Sequence, residues 1–483
     1  MSDFSFAPAE YVPTGMPQYD GNPLIECLPR ILSDIDVVRR VGNLPKRPDV
    51  AERALDPKLR GHGINRLKDV VVPFEVHLRL EDLFSQLIRY GYTGRNPLLA
   101  STVRHRLPSS SAEIKGLGFM STAETITLIG LSGMGKTTAL NSIAKLYPQV
   151  ISHSKYKRRI FIETQVVWLK IECPHDGSLR GFCSAFFSAL DAALGIEKYS
   201  RRGGAGNSIS VMLQHISQLC KTFFIGALII DEMQHLCSSR GGQDREKLLN
   251  FFVTLSNDAG VPLVYVGTNA MLPLFSGVLR NARRAAGMGP ITFDRFREDD
   301  PFWEHLVSQL WAYDWTVSCA PLTDELFSKI YDLTQGNTDF LAKLLMLAQR
   351  HVIWEGIDSI APAVLQQVYE NQMRLLHKPI EALRSGDPLQ IADFEDMMPT
   401  KDQIAQMMNY DLARRVDRKH LSLLTRTPIS PVSEAVDKPA TKPPSRAVAP
   451  VATGSALNVH FTKGEDVQTQ LEKRGWVDKD SSW

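Results

Sequence analysis

Gly130-Leu131-Ser132-Gly133-Met134-Gly135-Lys136-Thr137 decides how this chain reads. It fits G-x-x-x-x-G-K-[ST], a pattern that arises by chance about one or two times in a hundred in a chain of this length. Its flanks match a phosphate-binding loop. Thr125–Ile129 predicts a short apolar strand, and Lys136 opens a predicted helix to Tyr147, with Leu140, Ile143, Ala144 and Tyr147 on one face before Pro148. Glycines allow successive backbone N–H groups to turn onto phosphate oxygens, and a helix N-terminus adds partial positive charge. The expected ligand is ATP with Mg²⁺. Lys136 is expected to reach the β- and γ-phosphates and the Thr137 hydroxyl to hold the metal, with Gly130, Ser132, Gly133, Met134, Gly135 and Thr138 completing the cradle.

A loop of this kind needs a carboxylate partner from a neighbouring strand. Leu228-Ile229-Ile230-Asp231-Glu232, an apolar strand ending in two acids, lies far enough downstream for intervening strand–helix units. Asp231 is expected in the Mg²⁺ shell and Glu232 as the general base that polarises water. Val261–Gly267 is a further apolar strand whose polar exit, Thr268-Asn269, falls on the same sheet edge and suits a γ-phosphate sensor. Arg280, Arg283 and Arg284 follow and are candidates for an arginine finger to a neighbouring subunit.

Around this site the pattern alternates strand and helix. Gln165–Cys173 reads as one strand. Helices are predicted from Ser178, as cap, to Gly195, over Ile209–Thr222 and over Glu246–Ala259. Continuous apolar strands between amphipathic helices imply an α/β fold with a parallel sheet covered on both faces. After about Asp300 the strand pattern stops, and helices are expected over 301–315, 323–334, 338–354 and 362–377. Upstream, 1–75 reads as an arm without its own core, with a helix near Pro29–Val37; a longer helix covers Val76–Tyr90. The expected organisation is arm 1–75, α/β domain 76–300, helical lid 301–385, helical extension 386–426, disordered linker 427–456 and docking tail 457–483. The linker is rich in Pro, Ala, Ser and Thr, and the tail carries Trp476 and Trp483.

Composition bounds the rest. The chain has 483 residues with 55 Lys+Arg against 53 Asp+Glu, which argues against coating nucleic acid by charge alone. No apolar run approaches the roughly 18 residues of a membrane span, and no signal-peptide pattern is visible at the start. The cysteines, Cys27, Cys173, Cys183, Cys220, Cys237 and Cys319, form no CxxC pair and read as reduced, mostly buried thiols of a cytosolic protein.

The order of phosphate loop, Asp-Glu strand, polar strand end, arginines and helical lid resembles an AAA+ P-loop NTPase. GYTGRNP, SGMGKTT, YPQVI, LKIECPHDGSL, IIDEMQHL, LNFFVTLSNDAGVPLVYVGT, LRNARRAAGMG, LAKLLMLAQ and EALRSG together resemble TnsC and the similar TniB proteins, over roughly residues 15–390. These are ATP-dependent regulators of heteromeric transposons, CRISPR-associated ones included. The resemblance implies a bacterial, cytoplasmic, DNA-associated ATPase that forms a homo-oligomeric ring or filament on double-stranded DNA. It further implies bridging of a target-selection protein of the TniQ or TnsD kind to transposase subunits, with hydrolysis driving disassembly. Where many AAA+ lids place a sensor arginine after a Gly-containing turn, this chain has Gly336-Asn337-Thr338-Asp339, and the first basic residue is Lys343.

DNA in the family faces the loop and helix after the second strand, which here offers His175, Ser178 and Arg180; Lys155, Lys157 and Arg158 form a basic run upstream. A solvated face competes with contact at each. A replication-initiator or helicase-loader ATPase shares the same core, but no helix-turn-helix is visible in the tail. A nucleotide-binding signalling scaffold without turnover fits poorly with Glu232 and the arginines, and a GTPase would carry NKxD.

Overall fold

The computed structural model describes residues 6–106, 119–202, 207–237, 242–276, 287–387 and 390–391. Chain contacts divide the protein into Met1–Val432 and Ser433–Trp483, and every described residue belongs to the first unit.

Five parallel strands form the central sheet: β2 (Thr125–Gly130), β5 (Trp168–Glu172), β6 (Ala227–Asp231), β7 (Leu263–Gly267) and β8 (Pro290–Phe293), in the order β5-β6-β7-β2-β8. The apolar runs are continuous because both faces are buried. Ile126, Leu128, Ile229, Val264 and Val266 join one core cluster, while Ile129, Leu228, Ile230, Leu263 and Tyr265 join the other. Alternate residues point to opposite faces, so the inner strands β2, β6 and β7 feed both cores.

The main helices are α1 (Asp34–Val41), α2 (Pro57–Gly63), α3 (Glu75–Thr93), α4 (Lys136–Ala144), α5 (Leu179–Leu194), α6 (Ile209–Thr222), α7 (Gly242–Asp258), α8 (Pro301–Trp311), α9 (Asp324–Thr334), α10 (Thr338–Glu355), α11 (Pro362–Gln372) and α12 (His377–Ser385). Phe84 and Leu87 of α3 and Leu140 and Ile143 of α4 cover the first face; Phe182 and Phe186 of α5, Ile216 of α6 and Phe252 of α7 cover the second. Complete burial of each such side chain contributes about 1.5–3 kcal/mol. The lid helices share the first cluster through Leu341, Leu344 and Val368.

The arm is extensively buried. Leu24, Ile25, Val37 and Val38 belong to the same cluster, and α2 and the following turn pack on α10 of the lid. Its helix begins at Asp34 rather than near Pro29, because Ser33 caps it: Ser33 Oγ accepts from Asp36 N at 3.3 Å, and Asp34 and Asp36 occupy the first turn.

Two features depart from the sequence reading of 150–173. Val150–Tyr156 (β3) and Arg159–Val166 (β4) form an antiparallel hairpin, joined along β3 by β1 (Ala7–Pro8) of the arm. The stretch read as one strand, Gln165–Cys173, is divided: β4 ends at Val166, and after Val167 the chain enters the central sheet as β5. Strand β8 was not anticipated either. Among the described residues no helix is long and apolar enough to cross a membrane. Cys27, Cys173, Cys183 and Cys220 are buried free thiols, whereas Cys319 is exposed.

Candidate nucleotide site

The C-terminal ends of β2, β6 and β7 open on one cleft of about 1150 Å³, lined by Ser132–Thr138, Asp231, Glu232, Gln234, His235, Thr268, lid residues Thr338, Asp339 and Lys343, and arm residues near Val70–His77. Gly130 is the last residue of β2, paired with Phe293 of β8, and lies behind the cleft. Ser132, Gly133, Met134 and Gly135 form the turn, with Gly133 and Gly135 in the left-handed region at φ +79° and +83°. Gly133 has a second reason to be glycine: a Cβ there would lie 2.8 Å from Asn337 Oδ1 and 2.9 Å from Asp339 Cβ. Lys136, Thr137 and Thr138 form the first turn of α4. Lys136 is buried and folds back, donating from Nζ to Gly130 O (2.9 Å) and Leu131 O (2.8 Å).

Thr137 and Asp231, 94 residues apart, meet directly: Thr137 Oγ1 donates to Asp231 Oδ2 at 3.1 Å. Lys170 of β5 approaches the same oxygen at 2.9 Å and also donates to Asn141 Oδ1 of α4 at 3.3 Å. Asp231 Oδ1 accepts from Glu232 N at 3.0 Å. These donors compensate a carboxylate that is only 3% exposed.

Glu232 sits in the left-handed region, φ 58° and ψ 39°, which costs a non-glycine residue on the order of 1–3 kcal/mol. Gln234, in the turn that follows, donates from Nε2 to Glu232 Oε2 and accepts from Thr268 N at its Oε1, 3.2 Å away. Thr268 lines the cleft, is 4% exposed, and its Oγ1 is buried with no hydrogen-bond partner. A buried hydroxyl without a partner at a strand end marks a place for a polar ligand atom. Asn269 is buried and opens a short 3₁₀ turn. Among the described residues no group of three or more His, Cys, Asp and Glu could hold a metal ion alone. The donor set suits Mg²⁺, which typically takes one or two protein oxygens plus phosphates and water. The open glycine turn, the orphaned Thr268 hydroxyl and the Thr137–Asp231 pair fit a nucleoside triphosphate with Mg²⁺.

At the lid side, Asn337 Nδ2 donates to Ser132 O (2.9 Å), Thr338 Oγ1 to Gly133 O (2.6 Å) and Asp339 N to Gly133 O (3.0 Å). The start of α10 is thus docked on the phosphate loop. Asp339 occupies the cleft mouth and pairs with Lys343 one turn on. Sequence reasoning missed Lys170, Gln234 and the Asn337–Thr338 contact. The DEMQ run carried a local signal for Gln234, whereas the other two have none.

The six candidate DNA residues fall on two elements. Lys155, Lys157 and Arg158 are exposed on the β3–β4 hairpin, with Lys157 at its turn (φ 54°) and its Nζ 4.9 Å from the Tyr156 ring centre. His175, Ser178 and Arg180 lie on the loop and helix after β5. Ser178 Oγ caps α5 by accepting from Gly181 N at 3.1 Å, and Arg180 Nη2 donates to Asn207 O at 3.1 Å. His175 is exposed and sits beside the nucleotide cleft, its ring centre 4.5 Å from that of His235. His235 Nδ1 bonds Cys173 O at 3.1 Å, which ties this loop to the turn carrying Glu232. Arg280, Arg283 and Arg284, the extension after 391, the linker and the tail lie outside the described residues.

Comparison with known proteins agrees with this geometry. Residues 120–275 match the family model described as AAA domain. No curated protein matches the chain. Among solved structures, Cdc6p from Pyrobaculum aerophilum is 15% identical with a TM-score of 0.36, covering 63% of this chain and 87% of that one. The ORC2 protein of Aeropyrum pernix is 14% identical with a TM-score of 0.39, covering 74% and 89%. The RuvB Holliday junction branch migration motor of Thermotoga maritima is 14% identical with a TM-score of 0.30, covering 62% and 73%. Likenesses at such scores carry no functional weight. The strand order, the phosphate loop and the family match together make this an AAA+ P-loop fold, built around an AAA domain at residues 120–275.

Proposed function

We propose that this chain is an Mg²⁺-dependent ATPase that assembles on double-stranded DNA and connects a target-selecting protein to a transposase, with hydrolysis releasing the assembly. The ATPase part rests on one observation above others: Thr137, Asp231, Glu232 and the orphaned Thr268 hydroxyl converge on the cleft that the phosphate loop lines. The transposition part rests on the resemblance of the motif run to TnsC and TniB proteins.

Bound ATP·Mg²⁺ supplies an electrophilic γ-phosphoryl group whose charge the metal offsets. Lys136, whose ammonium donates to the Gly130 and Leu131 carbonyls, would turn it to phosphate oxygens when nucleotide binds. Thr137 and Asp231 are the residues that would hold the metal shell. Glu232 accepts a proton from the attacking water at its carboxylate. Thr268 donates its unpartnered hydroxyl toward the γ-phosphate. Asn337 and Thr338 hold the start of the lid helix against the phosphate loop. Lys155, Lys157, Arg158, His175, Ser178 and Arg180 are the proposed DNA-facing residues, each supplying a backbone contact that the assembly repeats.

Electron microscopy with and without ATP and duplex DNA tests the assembly. ATP-dependent rings or filaments on DNA of unrelated sequence are expected, with affinity that falls steeply with salt. Glu232→Gln should bind ATP and form long-lived complexes; rapid turnover in that variant excludes Glu232 as the base. A footprint confined to one sequence with the purified protein would favour an initiator-type ATPase instead.

A further inference from the structure

The geometry points to Gln234 as a positioning residue that fixes the distance between the hydrolytic base Glu232 and the sensor end of β7, so that both engage the same bound nucleotide at once. This rests on the reading of Glu232 as the base. Three observations carry it. First, the Gln234 carboxamide is used at both ends: Nε2 donates to the Glu232 carboxylate, and Oε1 accepts from Thr268 N at 3.2 Å. The side chain is buried, so neither bond is easily replaced by water. Second, Glu232 is held in a sparsely populated backbone conformation, and its N–H is bonded by Asp231 Oδ1. A base on a strained backbone keeps its orientation only if its neighbours over-determine it, and Gln234 supplies the grip on its carboxylate. Third, β7 makes room for the carboxamide. A Cβ on Gly267 would lie 2.7 Å from Gln234 Oε1 and 2.6 Å from Met271 Sδ.

Gln234 takes only Oε2 of Glu232 in this bond, so the second carboxylate oxygen is left for water. The bond from Thr268 N anchors Gln234 at a residue that lines the cleft and carries the orphaned hydroxyl. A shift of Thr268 on engaging a phosphate is therefore transmitted through one side chain to the base.

The test uses the full chain and two substitutions that reach Gln234 differently. Gln234→Met keeps the volume and removes both hydrogen bonds. Gly267→Ala leaves Gln234 in place but pushes its carboxamide aside, and both close contacts are ends of flexible side chains, so the fold is retained. Single-turnover hydrolysis is measured with radiolabelled ATP and normalised to sites titrated with a fluorescent ATP analogue. Both variants should bind the analogue within about twofold of wild type and hydrolyse at least tenfold more slowly. In the Glu232→Gln background, Gln234→Met should cause no further loss, because its effect runs through Glu232. Wild-type turnover in both single variants overturns the inference, as does a Gln234→Met effect that multiplies with that of Glu232→Gln. Turnover that survives Glu232→Gln alone removes the assignment of the base, and the inference with it.

Discussion

Lys170 Nζ lies 2.9 Å from Asp231 Oδ2, the oxygen that also receives the Thr137 hydroxyl. The ammonium comes from the adjacent strand, where Lys170 stands opposite Ile229, two residues before Asp231. The candidate metal-shell carboxylate is therefore already ion-paired, and the second acceptor of the Lys170 ammonium, Asn141 Oδ1, ties β5 to α4.

Removing that cation should leave an uncompensated carboxylate that is 4% exposed at its side chain. Lys170→Met is expected to lower stability by on the order of 3 kcal/mol, since breaking a buried pair costs more than the pair contributes. Thermal melting without nucleotide measures it. An unchanged midpoint would show that Asp231 does not depend on Lys170.

Lys136→Ala should cut nucleotide affinity by at least tenfold and abolish ATP-dependent assembly. Without nucleotide it should cost on the order of 1 kcal/mol, the usual net worth of the hydrogen bonds that Lys136 donates to the loop carbonyls. Nucleotide titration and melting of the same sample separate the two effects. ATP-dependent oligomers of this variant on DNA would show that the site is misassigned.

Asn337 carries two tasks: Oδ1 caps α10 by accepting from Asp339 N and Phe340 N, and Nδ2 holds Ser132 O. Asn337→Ala should lose about 1–2 kcal/mol from the cap alone and release bound nucleotide several-fold faster. Thr338→Val removes only the bond to Gly133 O, so it should speed release with little change in stability. Stopped-flow displacement of a fluorescent nucleotide reads both. Release at the wild-type rate from both variants would mean the lid contact does not gate the cleft.

His77 is buried, accepts from Phe74 N at Nδ1 (3.0 Å), and burial pushes its pKa from 6.5 down to about 4. Its folded pKa lies below the unfolded one, so the unfolded chain gains the proton first. Stability is full above pH 6.5 and falls as the pH drops through 6.5 toward about 4, by up to about 3 kcal/mol for this group. His105, also held near 4 chiefly by burial, acts in the same direction. Urea titrations at pH 7.5 and 4.5 should show the loss, and His77→Asn should reduce it. An equal pH slope in that variant would assign the loss to other groups.

Much of the site was legible because its signals are local. The glycine spacing before Lys136, the apolar strand before it and the two acids after Leu228-Ile229-Ile230 are short-range patterns, and parallel strands bring their ends to one edge. The hairpin was hidden because its turn, Lys157-Arg158, carries no glycine or asparagine although Lys157 adopts φ 54°. Gln165–Cys173 looked like one strand because nothing punctuates Val167, where the chain changes sheets; which strand accepts which partner is not written in the run itself.

The sequence by itself determined the type of fold and the identity of the phosphate loop and its acidic strand. These depend on residue periodicity and on backbone freedom within a few positions. Only the tertiary structure decided what completes the site. Lys170 reaches Asp231 through the register of β5 on β6, Gln234 reaches Thr268 through the packing of a turn against Gly267, and Asn337 reaches Ser132 across 205 residues of chain. Such partners are set by where whole elements dock. Docking follows from burial of both sheet faces and of the lid's apolar side, a property of the assembled core that no local stretch carries.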